Sequence, residues 1–176
     1  MKTIQGPAIF LAQFIGEQPP FNTLEGLADW AAGLGYKALQ IPCNHPAIFD
    51  VEQAAQSQSY CDDVRGVLAE RGLAISELST HLEGQLIAVH PAYDAAFDSF
   101  APASRRGNPS ARQAWATEKL FQAARASRNL GLRAHATFSG ALAWPYLYPW
   151  PPHNALLFKE AFVELARRWR PVLDSF

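Results

Sequence analysis

Short apolar runs alternate along this chain with stretches of helical period, and that alternation carries most of what the sequence says about its fold. Ala8–Ile15 is a continuous apolar run bounded by Gly6-Pro7 and by Gly16 with Pro19-Pro20, the pattern of a strand buried on both faces. Asn22 or Thr23 then caps a helix whose Leu24, Leu27, Ala28, Ala31 and Leu34 follow helical spacing, and Gly33 and Gly35 close it. A second strand over Lys37–Pro42 leads through Asn44, His45 and Pro46 to a helix that starts at about Val51 or Ser57 and runs to Arg71. Gly72 stops that helix.

The third strand, Ala74–Ser79, follows the compact connection Arg71-Gly72-Leu73. Residues 80 to 109 hold Gly84, Pro91, Pro102, Gly107 and Pro109 among aromatics and aspartates, which predicts a long loop with a short helical turn near Tyr93 to Phe97. Asn108-Pro109-Ser110 opens a long helix to about Asn129, with Gly131 as its stop. A fourth strand over Arg133–Phe138 meets the aromatic, Pro-rich run Leu142–Pro152, which cannot be regular helix. The last helix spans Asn154 to about Arg170, where Pro171 disfavours its continuation.

Four strand-helix units in series imply right-handed crossovers and a parallel sheet covered by helices, an α/β fold in one domain over 1-176. An open doubly wound sheet commonly carries a glycine-rich phosphate loop at its first turn, and Gly16-Glu17-Gln18-Pro19-Pro20 is not one. The expectation is therefore a parallel (βα) barrel of TIM type. A closed barrel takes roughly 250 residues, so 176 residues in four units read as a half or truncated barrel.

Composition narrows the partners. With 49% hydrophobic residues the chain can bury a core, and 15 basic against 16 acidic side chains, in no long runs, give no footprint for nucleic acid or an anionic membrane. The first residues lack the apolar run of a secretory signal, and nothing reaches membrane-spanning length. Cys43 and Cys61, the only cysteines, fit neither a metal hairpin nor a disulfide framework, which favours a reducing, cytoplasmic location.

Several local stretches resemble the xylose-isomerase-like TIM barrels, the superfamily of sugar phosphate isomerases and epimerases. Leu34-Gly35-Tyr36-Lys37-Ala38-Leu39-Gln40-Ile41-Pro42 is similar to its segment of glycine, aromatic and strand ending in an acid or amide. Arg71-Gly72-Leu73-Ala74-Ile75-Ser76 resembles its approach to the third strand, and Ser79-Thr80-His81-Leu82 the strand end that presents a histidine. Phe138-Ser139-Gly140 followed by Trp144-Pro145-Tyr146 resembles its aromatic fourth loop. The resemblance implies the N-terminal half of a metal-dependent enzyme that interconverts aldoses and ketoses or epimerises sugars. It also implies a divalent metal, manganese, magnesium or zinc, whose ligands begin on a fifth strand. On that reading this chain supplies substrate-facing walls for a sugar or sugar phosphate and is inactive alone.

Three residues are the expected substrate contacts. Gln40 lies between Leu39 and Ile41, so strand alternation turns it away from their side and into the barrel mouth, unless it is a buried amide of the core. His81 stands at a strand end, where an imidazole can bond a hydroxyl or carbonyl, or be satisfied by loop backbone. Trp144 is the aromatic nearest the fourth strand, with a flat face suited to the C–H face of a sugar or to packing on the rim. Gln13 is a minor candidate by strand position. Glu77 has no legible partner and is read as structural rather than as a general base.

His45, His90, His135 and His153 are scattered without zinc-motif spacing, and no nucleophile triad is legible, so no catalytic or metal residue is named. Arg167, Arg168 and Arg170 read as a solvated helix C-terminus. The rival expectation is a non-catalytic half-barrel that binds or self-assembles, pairing as a homodimer through its open sheet edges.

Overall fold

The structure is a computed structural model that describes residues 4–143 and 155–176. Its strands are β1 (Ala8–Phe10), β2 (Ala38–Pro42), β3 (Ala74–Thr80) and β4 (His135–Thr137). Its helices are α1 (Leu24–Gly33), α2 (Val51–Gln56), α3 (Gln58–Ala69), α4 (His81–Gln85), α5 (Asp94–Phe97), α6 (Pro109–Asn129) and α7 (Ala155–Leu173), with short 3-10 turns on either side of α5. The strands form one four-stranded parallel sheet in the order β1-β2-β3-β4. Sequential order means that successive right-handed crossovers step the same way across the sheet, without the reversal that defines a doubly wound fold.

The chain divides into two compact units, Met1–Thr80 with Gln122–Ala136, and His81–Phe121 with Thr137–Phe176. In the first, side chains from the strands meet the helices in one apolar core. Ile9, Leu39 and Ile75 form one row across the sheet and Leu11, Ile41 and Leu78 the next, packed on Leu27 and Ala28 of α1, Val64 and Leu68 of α3, and Ala123 and Ala126 of α6. Opposite parity sends Ala8, Ala38 and Ala74 to the other face, followed by the row Phe10, Gln40 and Glu77.

The second unit has its own core of Leu86, Ile87, Ala101, Ala116, Leu120, Trp169 and Val172. The predicted long loop is ordered here by Arg112, whose side chain is 2% exposed. Its guanidinium donates to the Asp94 carbonyl at 2.7 Å and to the carboxylates of Asp94 and Asp98, each at 2.5 Å. Asp98 in turn accepts from the Gly107 amide at 2.9 Å. That amide, with Arg112 behind it, holds the Asp98 carboxyl below its usual range.

Element ends differ from the sequence pattern for local reasons. β1 stops at Phe10 because the Phe14 amide turns back to the Leu11 carbonyl at 2.8 Å, so the apolar run continues as a turn. The helix expected from Val51 or Ser57 is two: Ser57 is extended, ending α2 and capping α3 through its hydroxyl on the Tyr60 amide. Pro171 does not end α7. It sits in the final turn, where the missing amide costs one bond and the helix closes at Leu173 with Asp174 bonded to Arg170.

A Cβ at Gly84 would run into Thr137 Oγ1 and into the Phe138 carbonyl oxygen, which the backbone fixes. Gly84→Ala should therefore lower unfolding stability by about 2 kcal/mol, as overpacking does. Gly33→Ala, with nothing within 4 Å of the new methyl, should leave stability unchanged or raise it by up to about 1 kcal/mol. Urea denaturation of both variants reads the difference.

Candidate functional site

Two polar constellations stand at or beyond the sheet, one in each unit. The first depends on a register shift. β2 and β3 pair as Ala38 with Ala74 and Leu39 with Ile75, then as Gln40 with Glu77 and Ile41 with Leu78. Ser76 is thus an extra residue in β3. In a regular ladder Glu77 would share a face with Ile75 in the apolar core; with Ser76 bulged out, Glu77 turns to Gln40 and Leu78 takes the core position. Gln40 Nε2 donates to Glu77 Oε1 at 2.5 Å, both residues half-buried, with the Phe10 ring beside Gln40 in register.

The pair leaves groups to offer. A carboxylate accepts through both oxygens, and a primary amide keeps its carbonyl oxygen and a second N–H. Ser79, two residues past Glu77 and so on the same face, is 2% exposed, and its Oγ has no hydrogen-bond partner among the described residues. At the end of β3, Thr80 Oγ1 lies 2.7 Å from Nε2 of His135, the first residue of β4. An apolar crevice of about 240 Å³ lined by Leu68, Leu73, Ile75, Leu130 and Leu132 holds neither Gln40 nor Glu77.

In the second unit, His81 opens α4 immediately after β3, and its ring lies on Phe138 with centroids 4.5 Å apart. Burial lowers the His81 pKa, which keeps the imidazole neutral at neutral pH. Phe138 is 52% exposed, an apolar face open to solvent directly after β4. Its backbone is pinned by three contacts. Gly84 presses on the Phe138 carbonyl, Gly140 takes a φ of 68° where Gln85 and Ala88 carbonyls leave no room for a side chain, and Trp169 Nε1 donates to the Ser139 carbonyl at 2.9 Å.

Of the predicted contacts, Gln40 therefore stands in the first unit against Glu77, and His81 in the second against Phe138. Trp144, with the rest of the aromatic run at 144–154, lies outside the described residues. Gln13 falls in the turn after β1 and is exposed. Sequence reasoning missed the Gln40–Glu77 partnership and Phe138 as a platform. It also missed Arg112, whose one signal was a cation in the first turn of a helix, where the dipole disfavours it.

Glu83 in α4 is a third unforeseen group. It is 3% exposed, its Oε2 lacks a hydrogen-bond partner among the described residues, and burial raises its pKa against the opposing pull of its own backbone and of Lys119. A carboxyl whose folded pKa is raised binds its proton more tightly folded than unfolded, so stability falls as pH rises above its ordinary value of 4.5 and stays lost above the raised value. Glu83→Gln keeps the shape and cannot ionise. Thermal melts across pH 4 to 8 should show a smaller loss of stability with rising pH in the variant, and greater stability than the parent at neutral pH. A variant that melts earlier than the parent at neutral pH would show that the ionised carboxylate is favourable in its site.

No helix among the described residues is long and apolar enough to cross a membrane, and no group of three His, Cys, Asp or Glu among them is placed to hold a metal ion. No protein-family model matches this sequence, and neither does any curated protein.

Proposed function

We propose that this chain forms the substrate-facing part of a sugar isomerase/epimerase-like (βα) barrel of TIM type, and that its polar sheet face binds the hydroxyls of a sugar. The observation that carries the reading is the Gln40–Glu77 pair, turned out of the helix-packed core on the middle strands of a sequentially ordered parallel sheet. An amide and a carboxylate already joined by one hydrogen bond present fixed donors and acceptors, the arrangement that vicinal hydroxyls match. The neutral His81 imidazole and the exposed Phe138 ring support the same substrate class in the second unit, the one as a hydroxyl or carbonyl partner and the other as an apolar platform. Trp144 belongs to the proposal as a further aromatic wall.

The reaction proposed for the complete enzyme is metal-dependent aldose–ketose isomerisation or epimerisation. The described residues offer no ligand set for manganese, magnesium or zinc, so no step is derived through a metal, and recognition is the role given to these side chains. Cys43 and Cys61, both buried and neither in a disulfide, support a reducing compartment, the cytoplasm. Among the described residues β1 and β4 are the outer strands of the sheet, which favours a second reading, a self-assembling half-barrel without catalysis.

Titration calorimetry of the chain with D-xylose and D-fructose tests the proposal. Binding is expected, and Gln40→Ala, checked for native secondary structure by circular dichroism, should weaken it by about tenfold, the loss of roughly 1.4 kcal/mol from an unmade buried hydrogen bond. An affinity in Gln40→Ala equal to that of the parent chain would contradict the site in the first unit.

A further inference from the structure

We infer that the ligand of this face is hydroxylated and non-anionic, an unphosphorylated sugar or polyol rather than a sugar phosphate; the inference rests on the sugar-binding reading above. It comes from where the chain keeps its charges. In a parallel sheet the segments that follow the strands emerge at one edge and those that precede them at the other. No Lys or Arg occurs in residues 11–36 after β1, 43–64 after β2, 81–104 after β3 or 138–158 after β4. In the first unit the cations stand instead late in α3 and α6 or ahead of strands, whereas Arg105, Arg106 and Arg112, around the start of α6, belong to the second unit. Lys37 precedes β2, Arg71 precedes β3 and Arg133 precedes β4.

In the first unit, the segments that follow β1 and β2 are therefore free of positive charge where side chains could meet a phosphate beyond the strand ends. Within the first unit, the charge on the polar face is the carboxylate of Glu77. Lys37 lies three residues ahead of Gln40, about 10 Å along an extended strand.

Backbone amides at helix N-termini are the other common phosphate site, and at the starts of α1, α2 and α6 the chain's own side chains accept from them. Thr23 Oγ1 takes the Gly26 amide at the start of α1. Asp50 Oδ1 takes the amides of Glu52 and Gln53 at the start of α2, placing a carboxylate where a phosphate would sit. Asn108 Oδ1 takes the Ala111 amide at the start of α6. One N–H of Gln40 Nε2 is likewise committed to Glu77, and the second remains as a neutral donor. What remains is suited to hydroxyls: two carboxylate oxygens, the Gln40 carbonyl and the buried Ser79 Oγ.

Calorimetry with D-fructose, D-fructose 1-phosphate and D-fructose 6-phosphate, so that either end of the sugar carries the charge, reads the preference directly. The expected result is that both phosphates bind at least about tenfold more weakly than fructose. Sodium chloride at 0.5 M should narrow that gap, because like-charge repulsion at a half-exposed carboxylate is screened. Glu77→Gln should narrow it at low salt. If that variant does not fold, the salt dependence carries the same test in the native chain. Either phosphate binding as tightly as fructose, or more tightly, overturns the inference while leaving the sugar-binding reading intact. Binding of none of the three sugars overturns the proposed function, and the inference with it.

Discussion

Between Leu39 and Gln40 the ladder from β2 to β3 skips one residue, and the two faces of the sheet depend on that skip. Ile75 and Leu78 both belong to the apolar core, yet they are three positions apart in a strand whose side chains alternate with a period of two. The conflict is resolved only by giving Ser76 no partner of its own. Once it is set aside, Leu78 falls beside Ile41, and the acid between the two apolar residues is delivered to the opposite face beside Gln40. Burying both Ile75 and Leu78 and placing Glu77 on the polar face are thus one constraint, stabilised on one side by apolar burial and on the other by a charge-assisted hydrogen bond.

The consequence is a sheet with unlike faces. One carries two full rows of aliphatic side chains against α1, α3 and α6. The other begins with a row of three alanines and continues with Phe10, Gln40 and Glu77. Small residues leave room beside the polar row, and residues 11–36 after β1 and 43–64 after β2 bring no Lys or Arg to its carboxylate. The second unit repeats the principle with different means. There glycines at 84 and 140 bring backbone against backbone, and this close approach holds Phe138 half-exposed under the His81 ring.

Much of this was legible in the sequence. Four strands, the helices that separate them and the cap at Thr23 follow from apolar periodicity and turn residues, and Gln40 was read to the correct face because Leu39 and Ile41 flank it in an unbroken alternation. Glu77 was not, because a bulge leaves no mark in local pattern: Ile75-Ser76-Glu77-Leu78 reads equally as a regular strand with one face imperfectly apolar. The break at Ser57 and the persistence of α7 through Pro171 were hidden for a related reason, since each depends on how a few backbone hydrogen bonds are distributed. Arg112 and Glu83 were invisible because their burial is tertiary, made by residues 14 to 18 positions away for the one and by the packing around α4 for the other.

The central claim is that Gln40 and Glu77 are partners across a bulged ladder. A double-mutant cycle in the chain itself, Gln40→Ala, Glu77→Ala and the double variant, each unfolded in urea, isolates that pair. The account predicts a coupling energy of about 1 to 2 kcal/mol, the size expected when a half-buried amide donates to a carboxylate. Additivity within about 0.5 kcal/mol would mean that the two side chains do not meet, and that the register shift at Ser76 does not build the polar face.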